Sequence, residues 1–243
     1  MSKNHSKIEK IAGDYQYKAL RLGNIVQRQW HKNRHNLIYF LKFLTKSDLV
    51  LDAGCGSGNV LFEFSPSVKE ITGIDNNNDC INFIKNTYKK NKIKNIKVKK
   101  TNLLRIELPQ KYSKVILTEV IEHFDQKDTK KLLSNLKKTM KKNGKILVTT
   151  PNYWSLWIII EKIIDIFHLT PALWGEQHLI QFTPQILKKT LESEGFIVER
   201  IGTLNFVSPF ISIISPKLAD KVSQFEFSYV PFGSLIYAVA IKE

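Results

Sequence analysis

Apolar residues along this chain follow two rhythms. Between about residues 15 and 46 they recur at helical spacing after a polar start, and Leu37, Ile38, Leu41 and Leu44 form a stripe. From Leu49 onward short apolar runs alternate with amphipathic stretches. Leu49–Ala53, Ile71–Asp75, Ile96–Val98, Lys114–Thr118 and Lys145–Thr150 read as strands. Helical periodicity lies between them: in Thr129–Lys142, Leu132, Leu133, Leu136 and Met140 recur while lysines fill the other positions. Five strands separated by helices predict an α/β fold with a parallel sheet and right-handed crossovers.

After Pro151 the rhythm breaks. An insertion runs over 152–182, and Thr183-Pro184 then starts a helix that Gly195 ends. Two further strands are predicted near Phe196–Gly202 and Leu235–Ile241. Pro209, Pro216 and Pro231 make 203–234 read as a loop-rich insertion before the last strand. The expected organisation is one domain over 1–243 with an N-terminal helical cap at 1–46.

At 243 residues and 43% hydrophobic content the chain can bury one core of this kind, not two. Cys55 and Cys80 are its two cysteines, which excludes a disulfide framework and agrees with a reducing compartment. Met1–Glu9 is polar and has no apolar core of the secretory kind, so a cytoplasmic location is expected. Lys and Arg number 37 against 22 Asp and Glu, a net charge of +15 that invites an anionic partner. The excess is concentrated, with eight lysines between Lys85 and Lys100 and eight between Lys127 and Lys145. Because these share helices with buried-type stripes, they read as solvated faces before they read as a binding patch.

The chemistry begins where the first strand ends in Asp52-x-Gly54-x-Gly56-x-Gly58 and opens a helix. Glycines there remove the Cβ atoms that would collide with a ligand lying on the turn. A second strand ends in Asp75, 17 residues after Gly58, where a carboxylate can grip a ribose diol. A nicotinamide dehydrogenase needs the same pair, but its fingerprint places the third glycine at position 59, which is Asn59. The spacing with Asp52 and Asp75 resembles instead the first two motifs of class I S-adenosylmethionine methyltransferases. The resemblance runs from about Leu49 to Thr150 and resumes in the last strands. It implies a Rossmann-like, seven-stranded, mostly parallel sheet whose antiparallel seventh strand pairs with the sixth. It also implies S-adenosylmethionine as cofactor. Gly54, Gly56 and Gly58 would then flank the methionine moiety, Asp75 would hold the ribose hydroxyls, and Asn102 would sit by the adenine. Asp52, Asn76, Thr118 and Glu119 complete the expected cofactor-binding set.

Glu119, Glu122 and His123 follow the fourth strand and share a face if that turn is helical. Two carboxylates and an imidazole can ligate a divalent cation, or His123 can act as general base with Glu122 beside it. Glu-Val-Ile-Glu-His resembles the ubiquinone-biosynthesis O-methyltransferases and the small-RNA 3′-terminal 2′-O-methyltransferases, where this segment and a distant histidine hold a metal. That resemblance implies Glu119, Glu122, His123 and His178 as ligands of an ion such as Mg2+. General methyltransferases with a similar turn and a His-x-x-x-Phe-Thr-Pro segment use no metal, and both uses stay open.

Within the insertion, Leu156, Ile159, Ile160, Ile163, Ile166 and Phe167 form one face of a helical wheel, with Glu161, Lys162, Asp165 and His168 opposite. The stretch is too short and too charged to span a bilayer, which takes about 20 apolar residues. It suits peripheral membrane contact through 153–168, a lid over a lipophilic acceptor, or a buried or dimer-forming helix. A similar insertion occurs in the ubiquinone-pathway enzymes. The expected function is methyl transfer from S-adenosylmethionine to an oxygen of a small lipophilic acceptor such as a quinone precursor. Methylation of a terminal RNA ribose or of cell-envelope glycans are the alternatives, nucleic acid being the less favoured partner. Oligomeric state leaves no mark in the sequence.

Overall fold

The computed structural model describes residues 12–155 and 179–243; the apolar face at 156–167 and His178 lie outside the described residues. The chain enters through two helices, α1 (Tyr15–Leu22) and α2 (Ile25–Phe40). The single helical stretch expected over 15–46 is broken because the Asn24 side chain accepts the Gln27 N–H at 2.8 Å and starts a fresh helix. Leu41 and Leu44 follow the end of α2.

Seven strands form one sheet: β1 (Leu49–Ala53), β2 (Glu70–Asp75), β3 (Ile96–Lys100), β4 (Tyr112–Thr118), β5 (Met140–Pro151), β6 (Phe196–Leu204) and β7 (Leu235–Lys242). Their order is β3-β2-β1-β4-β5-β7-β6, and β7 runs antiparallel to both neighbours. The helices α3 (Asn59–Phe64), α4 (Asn78–Lys90), α5 (Gln126–Thr139) and α6 (Pro184–Ser193) connect them. Alternation along the strands splits the core into two layers. Leu51, Val115, Leu117 and Val148 pack with Leu132, Leu133 and Leu136 of α5, while Val50, Ile116 and Leu147 pack with Leu37 and Ile38 of α2. The lysines of α5 lie mostly on its outer side. Met140 leaves the helix stripe and opens β5 in extended conformation, so β5 begins five residues before Lys145, and Asn143 (φ 57°) turns the chain beside Gly144.

The expected loop-rich segment 203–234 is largely helical. It contains α7 (Ser208–Ile211) and α8 (Pro216–Tyr229). Two of its prolines occupy helix first turns, where a missing N–H costs nothing, and Ser215 caps α8 by accepting the Leu218 N–H at 3.3 Å. Proline as a breaker and proline as a starter look alike until the cap is seen. The buried Glu226 of α8 accepts the N–H groups of Val207 and Ser208, both at 2.7 Å, and the Ser208 hydroxyl at 2.7 Å. Asn33 of α2 joins this knot by donating to Asn205 at 2.7 Å and Ser208 at 2.9 Å. Nearby, Asp220 accepts from Gln29, Lys32 and Asn36 at 2.9, 2.6 and 2.9 Å. The C-terminal helices therefore grip α2 through polar groups as well as apolar ones.

A Glu226→Ala substitution would strand the buried N–H and hydroxyl of Ser208 and the part-buried N–H of Val207, and should cost about 3 kcal/mol in a urea unfolding experiment. A loss below about 1 kcal/mol would show that these bonds contribute little to the grip.

Candidate functional site

The turn after β1 makes three left-handed steps, with φ 77° at Gly54, 47° at Gly56 and 77° at Gly58. A Cβ on Gly54 would lie 2.4 Å from Val120 Cγ2, and one on Gly56 would lie 2.1 Å from Gln16 Oε1. Gly54 therefore needs glycine for space as well as for conformation, whereas at Gly56 the positive φ decides, because the end of the Gln16 side chain can swing aside. The turn is tied to β2, since the Gly54 and Cys55 N–H groups donate to the Ile74 carbonyl at 2.8 and 3.0 Å. Asp75 finishes the tie by accepting the Gly56 N–H and the Asn77 N–H, each at 2.8 Å.

The helical cap closes over this turn. Gln16 of α1 donates its N–H to the Ser57 hydroxyl at 3.2 Å, and its side-chain oxygen accepts the Ser57 N–H at 3.3 Å. Beneath the cap is a cavity of about 40 Å³. Asp52 and Gly54 from the end of β1, Thr118 from β4, Gln16 from α1 and the trio His31, Arg34 and His35 from α2 line it. That trio has the i, i+3, i+4 spacing of one helix face, a signal visible in the sequence that went unread there.

The charges around the cavity are unusual. Asp52 is 1% exposed, and its Oδ1 has no hydrogen-bond partner. Burial, reinforced by the Asp75 charge, pushes its carboxyl up to about 8. Burial and the Arg34 guanidinium pull His31 and His35 down to about 3, so both imidazoles are neutral at pH 7. Arg34 itself forms an ion pair with Glu119, Nη1 to Oε1 at 2.6 Å.

The expected Glu119, Glu122 and His123 cluster does not share a face. Glu119 sits at φ 53°, outside helical geometry, and only Ile121–His123 forms a 3-10 turn. Glu122 is 1% exposed and accepts the Thr150 hydroxyl at 3.0 Å, whereas His123 is exposed. Among the described residues no three acidic, histidine or cysteine side chains converge to hold a metal ion. Of the expected divalent-ion ligands among the described residues, Glu119 is paired with Arg34, Glu122 with Thr150, and His123 is exposed, so these three do not converge, and His178 lies outside the described residues. Burial and the nearby Glu119 charge raise the Glu122 carboxyl to about 8. Its backbone carbonyl accepts the Leu179 N–H at 2.8 Å, so the chain returning after the insertion passes directly over it. On the other side of the site, Asn76 and Asn102 are exposed at the ends of β2 and β3, and Asn102 caps its own turn by accepting the Leu104 N–H at 2.9 Å.

A sheet in this order with an antiparallel seventh strand, and a triple-glycine turn facing the acid that ends β2, define a class I S-adenosylmethionine-dependent methyltransferase. A family model described as a methyltransferase domain matches residues 44–195, and the chain belongs to that family. A probable cobalt-precorrin-6B C(15)-methyltransferase (decarboxylating) of Methanobrevibacter smithii is 37% identical over 54 residues, 22% of this chain and 29% of that protein. (S)-coclaurine N-methyltransferase of Thalictrum flavum is 28% identical over 101 residues, 41% of this chain and 27% of that protein. The chain thus spans less than a third of either relative. Magnesium protoporphyrin IX methyltransferase of Synechocystis PCC 6803, solved with bound SAH, superposes with a TM-score of 0.64 at 15% identity over 94% of this chain and 93% of that one. By name one relative methylates carbon and the other nitrogen, so kinship fixes the donor and leaves the acceptor atom open.

The shifted groups set how stability responds to pH. Asp52 and Glu122 bind protons more tightly folded than unfolded, so each withdraws stability as pH rises from about 4 to about 8. His31 and His35 do the opposite and withdraw stability as pH falls from about 6.5 toward 3. The opposing trends offset one another between about pH 4.5 and 6.5, and above that the carboxylates act alone. Thermal or urea unfolding of the ligand-free protein should show stability falling from about pH 6.5 to 8, by up to about 1.4 kcal/mol per unit for each group. Glu122→Gln should roughly halve that slope; an unchanged slope would refute the assignment.

Proposed function

We propose that the protein transfers a methyl group from S-adenosylmethionine to an oxygen of a small lipophilic acceptor, with Asp52 and Arg34 holding the charged end of the donor. The observation that carries this reading is the orphaned, buried carboxylate oxygen of Asp52 beside Gly54, in a cavity that also presents Arg34. A buried carboxylate without a partner is costly, and a ligand cation relieves it. The methionine end of the donor carries an ammonium, a carboxylate and a sulfonium, a set that matches Asp52 and Arg34 in sign. Asp75, Asn76 and Asn102 lie along the carboxyl edge of β2 and β3, where a ribose and a base would lie.

When bound, the donor supplies an already activated methyl group. The chain's task is to align the acceptor, exclude water and take up its proton. Glu122 is better suited to the last step than His123, because it is buried beside Thr150 at the end of β5 and its raised affinity for a proton suits a general base. Leu179 and Ile180 pass over Glu122, and Trp154 is exposed near the start of the insertion. These apolar neighbours, with the insertion's amphipathic sequence and its suitability for peripheral membrane contact, support a lipophilic acceptor of the quinone-precursor kind.

Binding of S-adenosylmethionine, followed by calorimetry, should strengthen about tenfold per unit from pH 6 to pH 8 as Asp52 gives up its proton, then level off. Asp52→Asn should remove that dependence. An affinity that ignores pH, or that survives Asp75→Ala unchanged, would sink the donor site. For the acceptor half, Glu122→Gln should lower kcat by about a hundredfold or more on a catechol-type acceptor while leaving donor affinity intact. Full activity in that variant would remove Glu122 from the chemistry.

A further inference from the structure

The C-terminal segment between β6 and β7 leaves a set of large apolar side chains in solvent. On α8, Leu218, Phe225 and Tyr229 stand at i, i+7 and i+11, a single stripe on the helix face opposite the buried Ala219, Ser223 and Phe227. Phe225 and Tyr229 lie 5.0 Å apart between ring centroids and extend the stripe as one surface. Ile213 and Ile214 occupy the corner before α8 and are 63% and 84% exposed. The Ser212 hydroxyl donates to the Ile25 carbonyl at 3.3 Å, which seats this corner beside the junction of α1 and α2, where Leu22 is also exposed. Soluble surfaces rarely gather so many large apolar groups within one short segment.

The charges on the same face are one-sided. Between Phe206 and Phe232 the two carboxylates are withdrawn, Glu226 into the knot under α7 and Asp220 onto Gln29, Lys32 and Asn36 of α2. Lys217 and Lys221 remain exposed and flank the stripe. An apolar stripe with boundary aromatics and lysines on its flank is the pattern that lies in a lipid headgroup region.

We propose that α8 and the Ile213–Ile214 corner form a docking surface for an anionic lipid bilayer, separate from the stretch 153–168. Lysines draw the face to the headgroups, and Ile214, Leu218, Phe225 and Tyr229 enter the boundary with the acyl chains. The α1–α2 cap over the glycine turn is then held at the membrane side of the molecule, because the Ser212–Ile25 contact joins the two.

The test is co-sedimentation of the full-length protein with vesicles of phosphatidylcholine, with and without phosphatidylglycerol. Binding should require the anionic lipid. The pair Lys217→Glu and Lys221→Glu, and separately Ile214→Glu with Phe225→Glu, should each weaken it about tenfold. Unfolding midpoint and S-adenosylmethionine affinity should remain at wild-type values in both variants, since none of the four side chains is buried. The proposal is overturned if the protein ignores both vesicle types, or if both variants bind as well as wild type, which would place the contact elsewhere. It is also overturned if the same substitutions split a dimer seen by sedimentation velocity without lipid, which would make the face a contact between two copies.

Discussion

The turn after β1 must bring its backbone against a ligand while staying fastened to the sheet, and Asp75 is what reconciles the two. Its carboxylate spans from the end of β2 to the Gly56 N–H, while the Ile74 carbonyl takes the N–H groups of Gly54 and Cys55. Three residues in the left-handed region would otherwise be a loose hinge, since glycine loses the most freedom on ordering. Tied at both ends, they become a rigid shelf. The parallel pairing of β1 with β2 and β4 then sets that shelf beside Thr118 and Glu119, so one fastening brings the ends of three strands to the same edge of the sheet.

Helix α2 works on two fronts. One face gives His31, Arg34 and His35 to the cavity, and the other gives Gln29, Asn33 and Asn36 to the C-terminal helices. A helix held by hydrogen bonds on one side and by an ion pair to Glu119 on the other has little freedom to rotate. Side chains with fixed rotamers and buried partners give a site its precision, and here the support comes from a segment far along the chain. The extra helices between β6 and β7 are therefore part of how the cavity is shaped.

Much of the fold could be read from the chain because its signals are local. Alternating runs such as Lys114–Thr118, the three glycines and the terminal acid of β2 each act within a few residues, and the sheet follows from them. Other parts depend on contacts that no short window contains. Gly23-Asn24 divides the cap because of one side-chain hydrogen bond, and Pro209 and Pro216 start helices whose worth comes from Glu226 below them. Glu119, Glu122 and His123 were legible as chemistry but not as geometry, since the positive φ at Glu119 arises where β4 leaves the sheet and no residue preference announces it. Arg34 and its histidine neighbours escaped because a polar trio on a surface-type helix looks ordinary until the cavity beneath it is known.

The electrostatics of the cavity follow from keeping a charged ligand's place dry. Two imidazoles are held neutral, one carboxylic acid is held protonated at neutral pH, and the guanidinium is matched by Glu119. Apart from Arg34, which Glu119 neutralises, the lining of the cavity thus carries uncharged groups in the ligand-free protein, the arrangement that burial tolerates best. A ligand bearing both signs reverses the balance, because its cation favours the ionised form of Asp52 and its carboxylate competes with Glu119 for Arg34. The Arg34–Glu119 pair, which neutralises the guanidinium in the ligand-free protein, is therefore also the contact that a ligand carboxylate would have to exchange for its own, so the strength of that pair sets a threshold for what the cavity admits.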